Sequence, residues 1–61
     1  MKLSCIIIDD EADAIEVLEQ MLKIYCPGLT VVHSCSTIFE GLKAVRQYRP
    51  EIVFLDVAMP G

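Results

Sequence analysis

An α/β fold built on a small parallel sheet is predicted by three features of this 61-residue chain. Apolar runs alternate with segments of helical periodicity in the order β-α-β-α-β. The first and last runs are nearly all apolar, as strands covered on both faces are. Each helical segment ends at a stop signal, Pro27-Gly28 for the first and Pro50 for the second. Right-handed crossovers with the first strand at the centre put the two helices on opposite faces and give the sheet order 2-1-3.

The elements follow in order. Leu3 to Ile8 (LSCIII) is short, β-branched and apolar, and it halts at Asp9. From about Glu11 to Tyr25 the period changes: Ile15, Leu18, Leu22 and Tyr25 recur at helical spacing, with Ala14, Val17 and Met21 beside them. The acidic start of this helix suits the positive end of its dipole. Leu29 to Ser34 (LTVVHS) is more polar than the first run and is placed at a sheet edge. Thr37 with Glu40 forms a capping box that opens the second helix, whose apolar stripe is Ile38, Leu42, Val45 and Tyr48. Gly41 lies inside that helix at a cost of roughly 1 kcal/mol relative to Ala, and it allows close approach of helix to sheet. Tyr25 and Tyr48 read as helix-packing residues, and His33 is assigned no role. Ile52 to Leu55 is the third strand.

Composition narrows the function. A hydrophobic share of 54% against 23% charged residues describes a packed chain, not a disordered one. A chain this short buries only roughly 60% of its unfolded surface, so its stability is marginal. Nine acidic residues against five basic ones, a net charge of −4, argue against direct nucleic-acid contact. No run reaches transmembrane length, which argues against a membrane role. Cys5, Cys26 and Cys35 are odd in number and match no metal spacing. They read as three sheltered thiols in a reducing cytoplasm.

The chemistry concentrates at one end of the predicted sheet. Asp9 and Asp10 leave the first strand and Asp56 ends the third. In the order 2-1-3 these strands are neighbours about 4.8 Å apart. Their carboxyl ends flank the switch point where open α/β sheets hold ligands. Three carboxylates brought together repel one another without a cation, and an all-oxygen acidic cluster favours Mg²⁺. An aspartate can also attack phosphorus. Asp56 is therefore the candidate phosphoacceptor, with Asp9 and Asp10 as metal ligands. The plainer alternatives are an acidic helix start for Asp9-Asp10-Glu11 and a turn-starting Asp for Asp56.

The stretches IIIDDEADA and PEIVFLDVAMPG together resemble the receiver domain of two-component response regulators. The resemblance implies a truncated flavodoxin-like (CheY-like) unit occupying residues 1–61 as a single partial domain. It implies Mg²⁺ bound by Asp9, Asp10, Asp56 and the backbone carbonyl of Ala58, and phosphorylation of Asp56 by a histidine kinase or a small phosphodonor. Met59-Pro60-Gly61 matches the turn that follows the acceptor. Phe54 before Leu55-Asp56 is similar to regulators with a LytTR-type DNA-binding output domain, so the implied readout is transcription regulation by an output domain outside this chain. The role is that of a cytoplasmic phosphoacceptor, not an enzyme in its own right.

The resemblance spans the whole chain and about half of a receiver. The family's later Ser/Thr and Lys, on its fourth and fifth strands, have no counterpart among these residues. Two other readings compete. A non-signalling chain would self-associate as a homodimer by antiparallel pairing of the third strand's open edge. A haloacid dehalogenase-like phosphatase would want a second acid two residues after Asp56, where Ala58 stands.

Overall fold

The computed structural model describes residues 2–56. β1 (Leu3–Ile8), α1 (Ala12–Tyr25), β2 (Leu29–Cys35), α2 (Ile38–Tyr48) and β3 (Ile52–Leu55) follow one another along the chain. All strand pairings are parallel and the order is β2-β1-β3, as the alternating pattern predicts. β2 runs one residue further than its apolar pattern indicates. β1, hydrogen-bonded on both sides, is the spine: Cys5, Ile6, Ile7 and Ile8 are all buried.

Because successive strand residues face opposite ways, β1 divides its side chains between two layers. Cys5 and Ile7 join Leu22 of α1, with Ile15, Leu18, Leu29, Val31, Ile52 and Phe54 packed around them. Ile6 and Ile8 join Cys35 and Ala44 on the other side, with Ile38 against them. The helices therefore cover opposite faces. A β-bulge lets β2 contribute to both layers. Cys5 pairs with Val31 but Ile6 pairs with His33, so Val32 is the extra residue. One inserted residue flips everything after it. Leu29 and Val31 consequently pack with the α1 layer, while Cys35 packs with the α2 layer.

Two packing expectations are corrected. Tyr25 is 74% exposed and does not pack its helix, because Leu22 closes the last buried turn of α1. Leu42 is 59% exposed, and the buried face of α2 is made by Gly41 and Ala44. The reason is steric. α2 lies so close to the sheet that a Cβ on Gly41 would stand 2.3 Å from Ile8 Cδ1 and 3.0 Å from Cγ1. Only small side chains fit there, and the larger Leu42 is turned away. Tyr48 does pack, stacking on His33 of β2 with ring centroids 5.2 Å apart.

The helix ends behave as local chemistry requires. Thr37 Oγ1 accepts the Glu40 N–H at 3.1 Å, the cap predicted from the spacing. The return half of the box differs: the Glu40 carboxylate takes the Thr37 hydroxyl at 3.3 Å. α2 closes at Arg49, a non-glycine residue in the left-handed region (φ 46°, ψ 57°), whose N–H donates to the Val45 carbonyl. Pro50 prevents continuation. At the amino-terminal end of the sheet, Glu51 Oε1 accepts from both the N–H and the hydroxyl of Ser4, at 2.7 and 3.0 Å. The main chains of the same two residues bond as Glu51 N–H to Ser4 carbonyl at 3.0 Å. These bonds fix the β1–β3 register at the end opposite the acidic residues.

Candidate functional site

The carboxyl ends of β1 and β3 are held by main-chain bonds that continue the ladder past the strand residues. The Asp56 N–H donates to the Ile8 carbonyl at 3.0 Å, and the Asp9 N–H donates to the Cys35 carbonyl at 3.1 Å. Asp9 is thus tied towards β2 and Asp56 towards β1 before either side chain is considered. The Asp9 side chain then turns the chain into α1: its Oδ1 accepts the Glu11 N–H at 3.0 Å. Such a bond two residues ahead is the usual way an Asp starts a turn. Glu11, the residue before α1, makes no side-chain cap of its own, so Asp9 serves the helix entrance from outside it.

This scaffold brings the three sequence-predicted acids together. One carboxylate oxygen from each of Asp9, Asp10 and Asp56 lies within 4.8 Å of the other two. Asp9 and Asp56 are half-buried and Asp10 is exposed. The cluster borders a depression lined by Ile7, Ile8, Asp9, Leu18, Phe54, Leu55 and Asp56. Leu18 belongs to α1, so that helix forms one wall of the depression. The fourth predicted ligand, the Ala58 carbonyl, and the Met59-Pro60-Gly61 turn lie outside the described residues.

The donor set fits a hard divalent cation. Mg²⁺ takes oxygen ligands at about 2.0–2.1 Å, so two ligands on opposite sides of it stand about 4.1 Å apart. Ligands on adjacent octahedral positions stand closer still, at about 2.9 Å, so oxygens within 4.8 Å of one another must draw together around the ion, which side-chain rotation supplies. Mg²⁺ also retains several waters, so three protein carboxylates suffice to anchor it.

Thiols do not compete for this role. Burial pushes the Cys5 thiol above its usual range. Burial also raises Cys35, aided by the Glu40 charge and opposed by hydrogen bonding from the Thr37 backbone. Both stay protonated at neutral pH, and a thiolate is the form that binds metal. Cys26 departs from the expectation of three sheltered thiols: it is exposed at the far end of α1.

Two parts of this arrangement escaped the sequence reading. The Asp9–Glu11 turn had a signal, an Asp two residues before a helix start with no cap of its own. The contact of Ile8 with α2 had none, because nothing in a hydrophobicity pattern says which apolar residue fills the notch at a helix glycine.

Comparison with known proteins agrees with this geometry. A family model described as the response regulator receiver domain matches residues 5–61. A response regulatory protein of Vibrio cholerae is 41% identical over 58 residues, which is 95% of this chain and 24% of that protein. The transcriptional regulatory protein BtsR of Escherichia coli K12 is 38% identical over the same share of each. A protein-glutamate methylesterase/protein-glutamine glutaminase of Oleidesulfovibrio alaskensis is 34% identical and is covered over 15% of its length. The chain thus spans about a quarter of the length of the first curated relatives it matches. No solved structure gives a significant match.

Proposed function

The chain belongs to the response regulator receiver domain family, and from that premise we propose that it is a phosphoacceptor module in which Asp56 receives a phosphoryl group beside a cation held by Asp9, Asp10, Asp56 and the Ala58 carbonyl. The observation that carries this reading is the convergence of the three carboxylates within 4.8 Å at the carboxyl ends of neighbouring parallel strands. Like charges gathered there repel one another, and a cation with a phosphoryl-transfer role at the strand ends accounts for their meeting.

The donor is the phosphohistidine of a kinase or a small phosphodonor. An Asp56 carboxylate oxygen attacks phosphorus, a new O–P bond forms, and the bond from phosphorus to the donor breaks with its electron pair leaving on the donor. The donor nitrogen or oxygen then takes up a proton from solvent. Bound Mg²⁺ would supply charge neutralisation for the transferring group. The rest falls to the protein. The Asp56 main chain, fixed by its bond to the Ile8 carbonyl, orients the nucleophile. The Asp9 carboxylate, held by the Glu11 N–H, keeps one ligand in place before the cation arrives. Because Ile7, Leu18 and Phe54 wall the depression, the nucleophile sits against apolar surface on one side.

The signal passes to an output domain outside this chain. The name of BtsR supports a transcriptional output, whereas the methylesterase carries a different activity beside a similar segment. A DNA-binding output, with the module acting in the cytoplasm, is the reading we adopt. Among the described residues no helix is long and apolar enough to cross a membrane.

Beryllofluoride with Mg²⁺ tests the assignment. It should bind the protein at Asp56, and Asp56→Asn should abolish that binding; binding unchanged by Asp56→Asn overturns the phosphoacceptor role. The family match favours a signalling module over a chain whose role is self-association alone. Among the described residues β3 pairs on one side only, and Val53 and Leu55 are exposed. That edge supports antiparallel pairing with a second copy. Sedimentation at micromolar concentration should then show a dimer, and a monomer there removes the pairing.

A further inference from the structure

Three connections meet at Ile8. Its side chain is buried and occupies the notch at Gly41, with the position of a missing Cβ only 2.3 Å from Cδ1 and 3.0 Å from Cγ1. Its carbonyl accepts the Asp56 N–H at 3.0 Å. Its own peptide continues directly into Asp9, whose N–H is bonded to the Cys35 carbonyl at 3.1 Å. The two half-buried acids of the cluster therefore hang from the two ends of one peptide-bonded pair, and the side chain that anchors that pair is seated under α2.

From this we propose that Gly41 is a positioning residue for the cation site, acting through Ile8; the proposal rests on the reading of Asp9, Asp10 and Asp56 as cation ligands. A methyl group at Gly41 must displace either Ile8 or α2. The severe conflict is with Cδ1; Cγ1, at 3.0 Å, needs to give by only a few tenths of an ångström. Ile6, Cys35 and Ala44 pack in the same buried cluster and restrict where the displaced atoms can go. α2 is held in its turn by its cap at Thr37 and by the stack of Tyr48 on His33. The displacement is thus passed to the Ile8 main chain, and from there to Asp9 and Asp56. Oxygens that must draw together around a small cation are sensitive to where their main chain holds them. Gly41 touches neither cation nor phosphoryl group, so its contribution is to geometry and not to charge.

The test uses Gly41→Ala and the double variant Gly41→Ala/Ile8→Val. The second substitution removes Cδ1, the atom in closest conflict. Mg²⁺ titration is followed by the amide resonances of Asp9 and Asp56, with circular dichroism reporting the fold. Gly41→Ala should remain folded and bind Mg²⁺ at least about tenfold more weakly, the scale of loss seen when groups supporting metal ligands are disturbed. The double variant should return to near the wild-type affinity. A folded Gly41→Ala variant with wild-type affinity overturns the proposal. Should Gly41→Ala not fold, the double variant decides alone: near wild-type affinity supports the proposal, and weak binding or failure to fold overturns it. Absence of any Mg²⁺ response at Asp9 and Asp56 in the wild-type protein would instead remove the cation reading itself. The positioning claim is then judged on the metal-free amide shifts of the same two residues, which must move in Gly41→Ala and return in the double variant; unmoved shifts overturn it.

Discussion

The two faces of the sheet are packed by opposite means. On the α1 face, bulk meets bulk: Leu22, Ile15 and Leu18 of the helix interlock with Cys5, Ile7, Val31 and Phe54 of the strands. On the α2 face the buried helix residues are small, with Ile38 packed beside them. Gly41 and Ala44 let its backbone come down onto Ile6, Ile8 and Cys35. The first face gains from apolar area removed from water, the second from close approach and dispersion contacts. The faces should therefore fail in opposite directions, one when side chains are cut back and the other when they grow.

A matched pair of substitutions breaks that comparison most sharply. Leu22→Ala removes the one buried side chain of α1 and should cost about 3 kcal/mol, since the layer around it cannot fully collapse into the gap. A chain of this size has roughly 3–9 kcal/mol of stability in all, so much of the native population is lost. Ala44→Leu is the counterpart on the other face. Ala44 is 2% exposed, and the added atoms have nowhere to go, so the cost is about 2 kcal/mol through overpacking although helix propensity barely changes. Urea unfolding midpoints check both. An Ala44→Leu protein as stable as wild type would mean that α2 is not seated as closely as Gly41 indicates.

The same contrast explains what could be read from the sequence. The α1 stripe of Ile15, Leu18 and Leu22 was legible because burial by bulk leaves a hydrophobic period. On α2 the period pointed to Leu42, and the buried positions were Gly41 and Ala44. Burial by close approach selects small residues, which a hydrophobicity pattern scores as weak. Tyr25 misled for a related reason: it continues the α1 period one turn past the place where Leu22 ends the buried face, and the chain then leaves through Cys26 towards β2. The bulge at Val32 left no sign in LTVVHSC, where apolar and polar residues do not alternate cleanly enough to reveal a flip. The candidate site fared better. Strand ends and the chemistry of Asp9, Asp10 and Asp56 follow from local patterns, and the one long-range step, the order 2-1-3 with the first strand at the centre, then brings them together.

The smallest expected effect lies in the thiols, one on each face. Cys5, in the α1 layer, is raised by burial alone. Cys35, in the α2 layer, is raised by burial and by Glu40, against hydrogen bonding from the Thr37 backbone. In the folded protein both thiols hold their protons to higher pH than in the unfolded chain, whose thiols ionise near the ordinary value of 9.0. Above that pH the unfolded state binds fewer protons than the native state, so stability falls as pH rises. The contribution is complete below the ordinary value and is lost as pH climbs through the raised folded values. Between pH 7 and pH 10 the urea midpoint should therefore drop further in the wild type than in Cys5→Ala/Cys35→Ala, which differ only in these two thiols; an equal drop sinks the idea. Glu40→Gln distinguishes the faces. It removes the second cause of the Cys35 shift and none of that for Cys5, so it should lessen the alkaline loss when Cys35 is present. In a Cys35→Ala background, with no thiol left beside it on that face, the same substitution should leave the pH dependence unchanged.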